Sequence, residues 1–236
     1  MGKVIMSGIV PTLTAPVVFK GDSVFSNNDW ATIIETCQKN VVPDTWKVGD
    51  SKSMTINGIS YTVDIIGKNH DVYSDGSGTA PLTFQMHDCY TTQTVMNSSS
   101  TNSGGWKNCA MRVTHLPAIL ALMPNEVKSG VKEVNKLTSA GNQSTSIDTT
   151  ADKLFLLSEI EVFGSINRSA SGEGKQYDYY AAGNSKMKYK DGTLFGWWER
   201  SPSIANTNYF CYVNRTPTAD HYGANTTFGI SFAFCF

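Results

Sequence analysis

Residues 197–236 read WWERSPSIANTNYFCYVNRTPTADHYGANTTFGISFAFCF. Short apolar runs recur here between clusters of Asn, Thr, Ser, Gly and Pro, which is the pattern of short strands joined by tight loops. The strands are predicted at Trp197 to Pro202, Tyr209 to Asn214, Ala219 to Tyr222 and Gly229 to Phe236. Successive side chains of a strand point to opposite faces, so one of the adjacent Trp197 and Trp198 is expected in the core and the other under a surface loop. Sugar stacking by either tryptophan is the functional alternative to packing. Glu199 and Arg200 are expected to join a network bracing a turn at Ser201-Pro202. Beyond that turn, polar residues from Asn206 to Thr226 interleave with Phe210, Val213, Phe228, Ile230, Phe232 and Phe234. Tyrosine and asparagine supply contact area and adaptable hydrogen bonds at low charge, as binding loops do.

Working back toward the N-terminus, residues 164–196 are rich in Gly, Tyr and Asn and read as irregular. Lys153 to Gly164, KLFLLSEIEVFG, reads as a buried strand with a short extension. Glu159 and Glu161 would then share one face of that strand as surface carboxylates. Residues 138–152, TSAGNQSTSIDTTAD, and 97–105, NSSSTNSGG, read as surface loops. Asn108 to Leu122 carries Met111, His115, Ile119 and Leu122 at helical spacing, and Pro124 opens a further turn or helix. Thr83 to His87 is a short strand. Asn57-Gly58 is the strongest short hairpin signal available, placing strands at Lys52–Asn57 and Ile59–Gly67. Ser26 or Asn27 can cap a helix running to about Asn40, with Trp30, Ile33, Ile34 and Cys37 on one face. Residues 1–24 are extended and Pro-marked, and read as a docking arm of mature protein rather than a signal peptide. The expectation is an α+β domain over 25–236, with short antiparallel strands, two main helical regions and long ordered loops.

Composition narrows the function. Of the 236 residues, 40% are apolar and only 17% charged, against about a quarter in an ordinary soluble protein. The polar surface therefore comes from uncharged residues, as in many extracellular assemblies. Nineteen basic and twenty acidic residues give a net charge of −1, and no basic run interleaves with aromatics, so nucleic acid is not expected as a partner. No apolar run reaches the roughly 18 residues of a membrane span, so membrane insertion is not expected. The five cysteines, Cys37, Cys89, Cys109, Cys211 and Cys235, suit buried free thiols, with one Cys211–Cys235 disulfide as the alternative.

Chemistry-bearing groups are sparse. His70-Asp71 and His87-Asp88 each end a predicted strand, and a metal site or general base can be drawn from them, but their spacing fits no zinc signature. Structural bonding is the preferred account. DVYSDGSG, residues 71–78, lacks the acidic spacing and closing glutamate of an EF-hand. Cys109 and His115 are six positions apart, which one helix does not bring squarely together. There is no GxSxG elbow and no phosphate-binding loop. Neither enzyme activity, nor a cofactor, nor a metal is expected.

Three stretches carry a longer similarity: WKVGD (46–50) with TINGISYTVDIIGKNHD (55–71); NKLTSAGNQSTSIDTTADKLFLLSEIEVFG (135–164); and WWERSP followed by FCYVN, AD and GISFAFCF. On these the chain resembles a family of phage and Gram-positive bacterial proteins. Its ending is similar to C-type-lectin-like domains, related in fold to formylglycine-generating enzymes and retroelement-diversified receptor-binding proteins. That resemblance implies a scaffold role for Trp197, Trp198, Glu199, Arg200, Ser201 and Pro202. It implies a presented ligand-binding surface at Tyr209, Tyr212, Asn214, Asp220, His221, Tyr222 and Asn225. The calcium motif EPN or QPD followed by WND is absent, so the resemblance transfers neither calcium nor catalysis. It implies a virion surface protein, at a tail tip, fibre or capsid decoration, that binds a host cell-surface glycan or protein and contacts other virion subunits. A secreted or surface-attached bacterial binding domain and a purely structural virion protein are the alternatives, and homo-oligomerisation is left open.

Overall fold

The computed structural model describes residues 17–236; residues 1–16 of the expected docking arm lie outside them. Helix α1, Trp30–Gln38, starts where the Asp29 side chain accepts the Thr32 amide at 2.8 Å, an N-cap that satisfies one of the unpaired first-turn donors. Trp30, Ile33, Ile34 and Cys37 form its buried face. Strands β1 (Ser51–Ile56) and β2 (Ile59–Gly67) pair antiparallel across Asn57-Gly58. Both turn residues have positive φ, 48° and 79°, the left-handed conformation that Asn and Gly tolerate and a two-residue hairpin needs. Strand β3 is Thr83–Met86.

The expected helix at Asn108–Leu122 is broken into pieces: α2 (Gly105–Asn108), a π turn (Met111–His115) and α3 (Leu116–Leu122). Cys109 is extended, with ψ 149°, which interrupts the run, and Leu122 is exposed. Helix α4, Asn125–Gly130, follows Pro124.

Residues 138–152 are only partly a loop. Strands β4 (Val134–Ser139) and β5 (Ile147–Asp152) pair over six residue positions, from Val134↔Asp152 to Ser139↔Ile147. The polar Thr150 and Asp152 of β5 are buried. Asp152 accepts the Trp106 indole at 2.8 Å and the Arg112 guanidinium at 2.6 Å, partners supplied from elsewhere in the chain.

The KLFLLSEIEVFG segment is also not a strand. Glu159–Phe163 is helix α5. Ser158 accepts the Glu161 amide and Glu161 accepts the Ser158 amide, a complete capping box, and Gly164 closes the helix at φ 70°. Helix α6 is Asp178–Ala181, and β6 (Lys188–Lys190) pairs with β7 (Thr193–Phe195). The last strands are β8 (Trp197–Pro202), β9 (Tyr209–Val213), β10 (Ala219–Gly223) and β11 (Ala233–Cys235).

Two antiparallel sheets organise the α+β fold, ordered β1-β2-β3-β11 and β10-β9-β8. On one face of the first, Phe84 stacks on Phe234 at 5.3 Å and Trp30 of α1 meets Phe84 edge-on at 5.9 Å. On the other, Gln85 accepts the Tyr180 hydroxyl of α6 at 2.6 Å. Each large side chain removed from water contributes on the order of 2–3 kcal/mol. Phe19 lies edge-on to Trp46 at 5.3 Å, and the Trp46 indole donates to the Asp22 carbonyl at 3.0 Å. The chain is thus bound to the body well before residue 25.

Candidate functional site

Strand β8 is buried along its whole length, and it is built differently from the expected turn. From Trp198 to Pro202 it advances four residues while its partner β9 moves only two, from Tyr212 to Phe210. The surplus bulges out of the ladder and bonds elsewhere: the Arg200 amide donates to the Leu157 carbonyl at 2.8 Å, and the Glu159 amide to the Ser201 hydroxyl at 3.1 Å. Both tryptophans are fully buried: Tyr212 and Phe228 lie edge-on to Trp198, at 6.1 and 4.9 Å, and the Lys188 ammonium stands 5.4 Å from the centre of the Trp197 ring. The Trp197 indole donates to the Lys186 carbonyl at 3.0 Å and the Trp198 indole to the Thr94 carbonyl at 2.9 Å.

A line of buried ions runs from β8 into the body. Arg200 donates to both oxygens of Glu161, one at 2.8 Å, and to the Leu156 and Glu173 carbonyls at 2.9 Å. Glu161 also faces Lys136 at 2.8 Å, and Lys136 reaches Asp71 at 2.7 Å while lying 4.2 Å from the centre of the Phe155 ring. Charges out of water persist when paired and fully hydrogen-bonded in this way. Burial alone would raise the Asp71 carboxyl, yet the Lys136 ammonium and bonds from Lys136 and Thr83 bring it down to about 2. Burial likewise opposes ionisation of Glu161, and Arg200 and Lys136 outweigh it.

Three further acids lie on or beside β8, Glu199 within the strand and Glu159 and Glu173 next to it. Glu159 accepts the backbone amides of Asn167, Arg168 and Ser169 at 2.8–3.1 Å. Glu173 takes the Ser139 amide at 2.8 Å and the Ser201 hydroxyl, yet burial still pushes it up to about 7. Glu199 has no hydrogen-bond partner at either oxygen. Burial, then the neighbouring Glu159 and Glu173, raise its pKa well above the ordinary carboxyl value. Arg200 therefore joins the expected network and Glu199 does not. Glu159 and Glu161 are interior groups rather than surface carboxylates.

The outer sheet, β10-β9-β8, presents aromatic rings. Tyr222 is 52% exposed and stacks on half-buried Tyr209, with centroids 6.3 Å apart and planes within 11°. Phe228 meets Tyr222 edge-on at 5.7 Å and is itself stacked on Tyr212 at 4.4 Å and edge-on to Trp198 at 4.9 Å. Tyr212 is only 7% exposed, so it supports the surface from beneath rather than forming it; its hydroxyl reaches Asp220 at 3.4 Å. His221 lies edge-on to Tyr209 at 5.1 Å, with Nδ1 2.8 Å from the Ser203 hydroxyl. Asn214, half-buried, accepts the Arg215 amide at 2.6 Å and shapes the β9–β10 turn, while Asn225 is exposed.

One residue that sequence reasoning passed over fixes this surface. Asn102 is fully buried, and its amide donates to the Ser203, Asn206 and Tyr209 carbonyls at 2.8–3.1 Å. Its oxygen accepts the Asn142 amide at 2.7 Å. Gly141 sits against it with φ 74°, and a Cβ there would lie 1.9 Å from the Asn102 carbonyl oxygen. Nothing in NSSSTNSGG distinguishes Asn102 from its polar neighbours.

The remaining expected groups are dispersed. His87 pairs with Asp64 at 2.7 Å, not with Asp88, and His70 stacks on Tyr177 at 3.9 Å. The five cysteines are buried and unpaired, so no Cys211–Cys235 disulfide forms. Burial pushes the Cys109 thiol up to about 12, which suppresses the thiolate a nucleophile requires. Among the described residues, no group of three or more His, Cys, Asp or Glu side chains is placed to hold a metal ion, and no helix is long and apolar enough to cross a membrane. A groove of about 870 Å³ lies away from the aromatic face, between Asn40, Tyr73, Asp75, Lys132 and Lys153.

These features define an α+β domain in which a paired-ion interior braces a small, aromatic-faced sheet. The chain belongs to the family described as a domain of unknown function, DUF6273, whose model matches residues 82–236. That span begins just before β3 and includes every element of the outer sheet. Comparison with curated proteins and with solved structures gave no match.

Proposed function

We propose that this chain is a non-enzymatic, C-type-lectin-like recognition domain displayed on a phage virion surface, at a tail tip, fibre or capsid decoration, where it binds a host cell-surface glycan or protein. The observation that carries the reading is the parallel Tyr209–Tyr222 pair, exposed on one side and buttressed by Phe228, Tyr212 and Trp198 on the other. Rings held rigidly by packing lose little freedom on binding, which is what makes aromatic residues effective anchors. The nearby ionisable groups support a non-catalytic reading, since Glu161, Arg200 and Glu159 are each occupied with structural partners. The virion setting is supported by the resemblance of the WKVGD, NKLTSAGNQ and WWERSP stretches to phage proteins.

The test compares host-cell binding by the wild-type protein and Tyr222→Ala, together with antibody labelling of Tyr222 on intact particles. An exposed anchor predicts a loss of about tenfold or more in affinity, with thermal stability little changed. Equal binding by both folded proteins sinks the recognition surface. A surface that antibody cannot reach on the particle favours a purely structural assembly role.

A further inference from the structure

The inner end of the buried ion line, Lys136 with Asp71, holds the reactants of an amide bond: a primary amine and a carboxyl group sealed from water. Backbone bonds beside each residue fix the two segments together. The Asn135 amide donates to the Val72 carbonyl at 2.9 Å, and the Ser74 amide to the Glu133 carbonyl at 3.0 Å. Lys136 Nζ stands 2.7 Å from Asp71 Oδ1, an oxygen bonded to Cγ. Each side chain is only 2% exposed, and the Phe155 and Tyr177 rings flank Nζ at 4.2 and 5.5 Å. Holding two reacting groups in contact replaces an encounter between molecules by a step within one.

Groups able to assist the reaction surround the pair. Glu161 Oε1 lies 2.8 Å from the same Nζ, within reach of its protons. The Thr83 hydroxyl donates to Asp71 Oδ2 at 2.6 Å, and the Tyr177 hydroxyl reaches both Asp71 oxygens at 3.0 Å. These donors are placed where negative charge grows when an amine adds to Cγ. At rest the pair is ionised, with the Asp71 carboxyl near 2 despite its burial. One proton moved along the 2.7 Å contact from Nζ to Oδ1 gives the neutral amine and acid, the reactive form. A dry interior narrows the gap between that form and the ions.

We propose that Lys136 and Asp71 condense to an intramolecular isopeptide bond, with Glu161 carrying the proton. The Nζ lone pair adds to Cγ, Oδ2 takes up the negative charge, and Glu161 accepts a proton from the resulting ammonium. Arg200, bonded to both Glu161 oxygens, keeps that carboxylate ionised and ready to accept. Glu161 returns the proton to the Oδ1 hydroxyl, the Cγ–Oδ1 bond breaks, and water leaves. Two Nζ protons have then moved to Oδ1, the third stays as the amide hydrogen, and nothing is oxidised or reduced. The product replaces one buried ion pair by a neutral amide and leaves Arg200 and Glu161 as a balanced pair, which removes a cost of burying charge. It also ties the turn after β2 to β4 across 65 positions, restricting the unfolded chain as a crosslink of that span does.

Intact-mass spectrometry of the denatured wild-type protein tests this, because a covalent bond survives denaturation and an ion pair does not. The expected mass is lower than the sequence sum by one water, and fragmentation should place the loss on a peptide joined through residues 71 and 136. Lys136→Arg keeps the positive charge without the nucleophilic amine and is expected at full mass. Glu161→Gln, checked for folding by cooperative urea unfolding, is expected to stay largely at full mass, since a positioned proton carrier speeds such a step by about a hundredfold or more. A folded wild-type protein at full mass, or a water loss that fragmentation places on a succinimide at a single aspartate, overturns the bond; neither result depends on a variant folding. A folded Glu161→Gln that is fully linked overturns the role given to Glu161.

Discussion

Glu173 sits fully buried between the Ser139 amide and the Ser201 hydroxyl, and its carboxyl ionises near 7 in place of its ordinary 4.5. A group whose folded pKa lies above its unfolded value binds its proton more tightly in the folded state. Its stabilising contribution is therefore complete below about 4.5 and is lost as pH rises through about 7. The gap between 4.5 and about 7 corresponds to about 3 kcal/mol at 1.36 kcal/mol per pH unit, a large share of a typical domain's stability. Other groups are also shifted by folding and add to the pH dependence. Glu199, raised by burial, and His87, raised by its bond to Asp64, push in the same direction as Glu173. His70 and His221, both lowered chiefly by burial, push the other way. The Glu173→Gln variant isolates the one group, since its amide oxygen can still accept from Ser139. Urea unfolding of both proteins should be measured at pH values below 4.5 and above 7, under reducing conditions. The wild type should lose about 3 kcal/mol relative to Glu173→Gln over that interval. A stability difference between the two proteins that does not change with pH refutes the reasoning.

Arg200→Met leaves Glu161 buried with only Lys136 for compensation, and urea unfolding at neutral pH should show a loss of about 3–5 kcal/mol. Glu199→Met replaces an acid that has no hydrogen-bond partner by an apolar chain of similar size, so it should be neutral or stabilising by about 1–3 kcal/mol, read as a raised melting temperature. Gly141→Ala places a methyl against the Asn102 carbonyl at a positive-φ position and should cost about 2–3 kcal/mol in the same assay, with increased proteolysis of the 203–209 loop.

Local signals were legible where the chain near a residue supplies its partners. Asn57-Gly58 dictates a hairpin because both positions need positive φ, and the Trp30–Cys37 spacing dictates one buried helix face. The α5 helix was also written locally: Ser158 and Glu161 stand at capping-box spacing inside LLSEIEVFG, but the surrounding apolar run reads equally well as a strand. Strand β5 carried a misleading pattern. Its Thr150 and Asp152 look solvent-bound, and they are buried only because Trp106 and Arg112 arrive to bond Asp152. The candidate surface was legible as a region, and Tyr209 and Tyr222 do face each other there. The seven residues were not equivalent, since Phe228 and Trp198 leave Tyr212 beneath the surface.

The sequence by itself determined the short-strand character of residues 197–236 and the concentration of tyrosine and asparagine there. These follow from side-chain alternation and turn chemistry, which act over a few neighbouring residues. Only the tertiary structure decided what WWERSP does. Its two tryptophans are both enclosed, and its bulge pairs with residues 157–159. Arg200 is matched to a glutamate 39 positions away, and Glu199 is left with no hydrogen-bond partner. The reason is electrostatic: the state of a buried charge depends on which distant groups the fold brings within hydrogen-bond reach, and no local pattern encodes that.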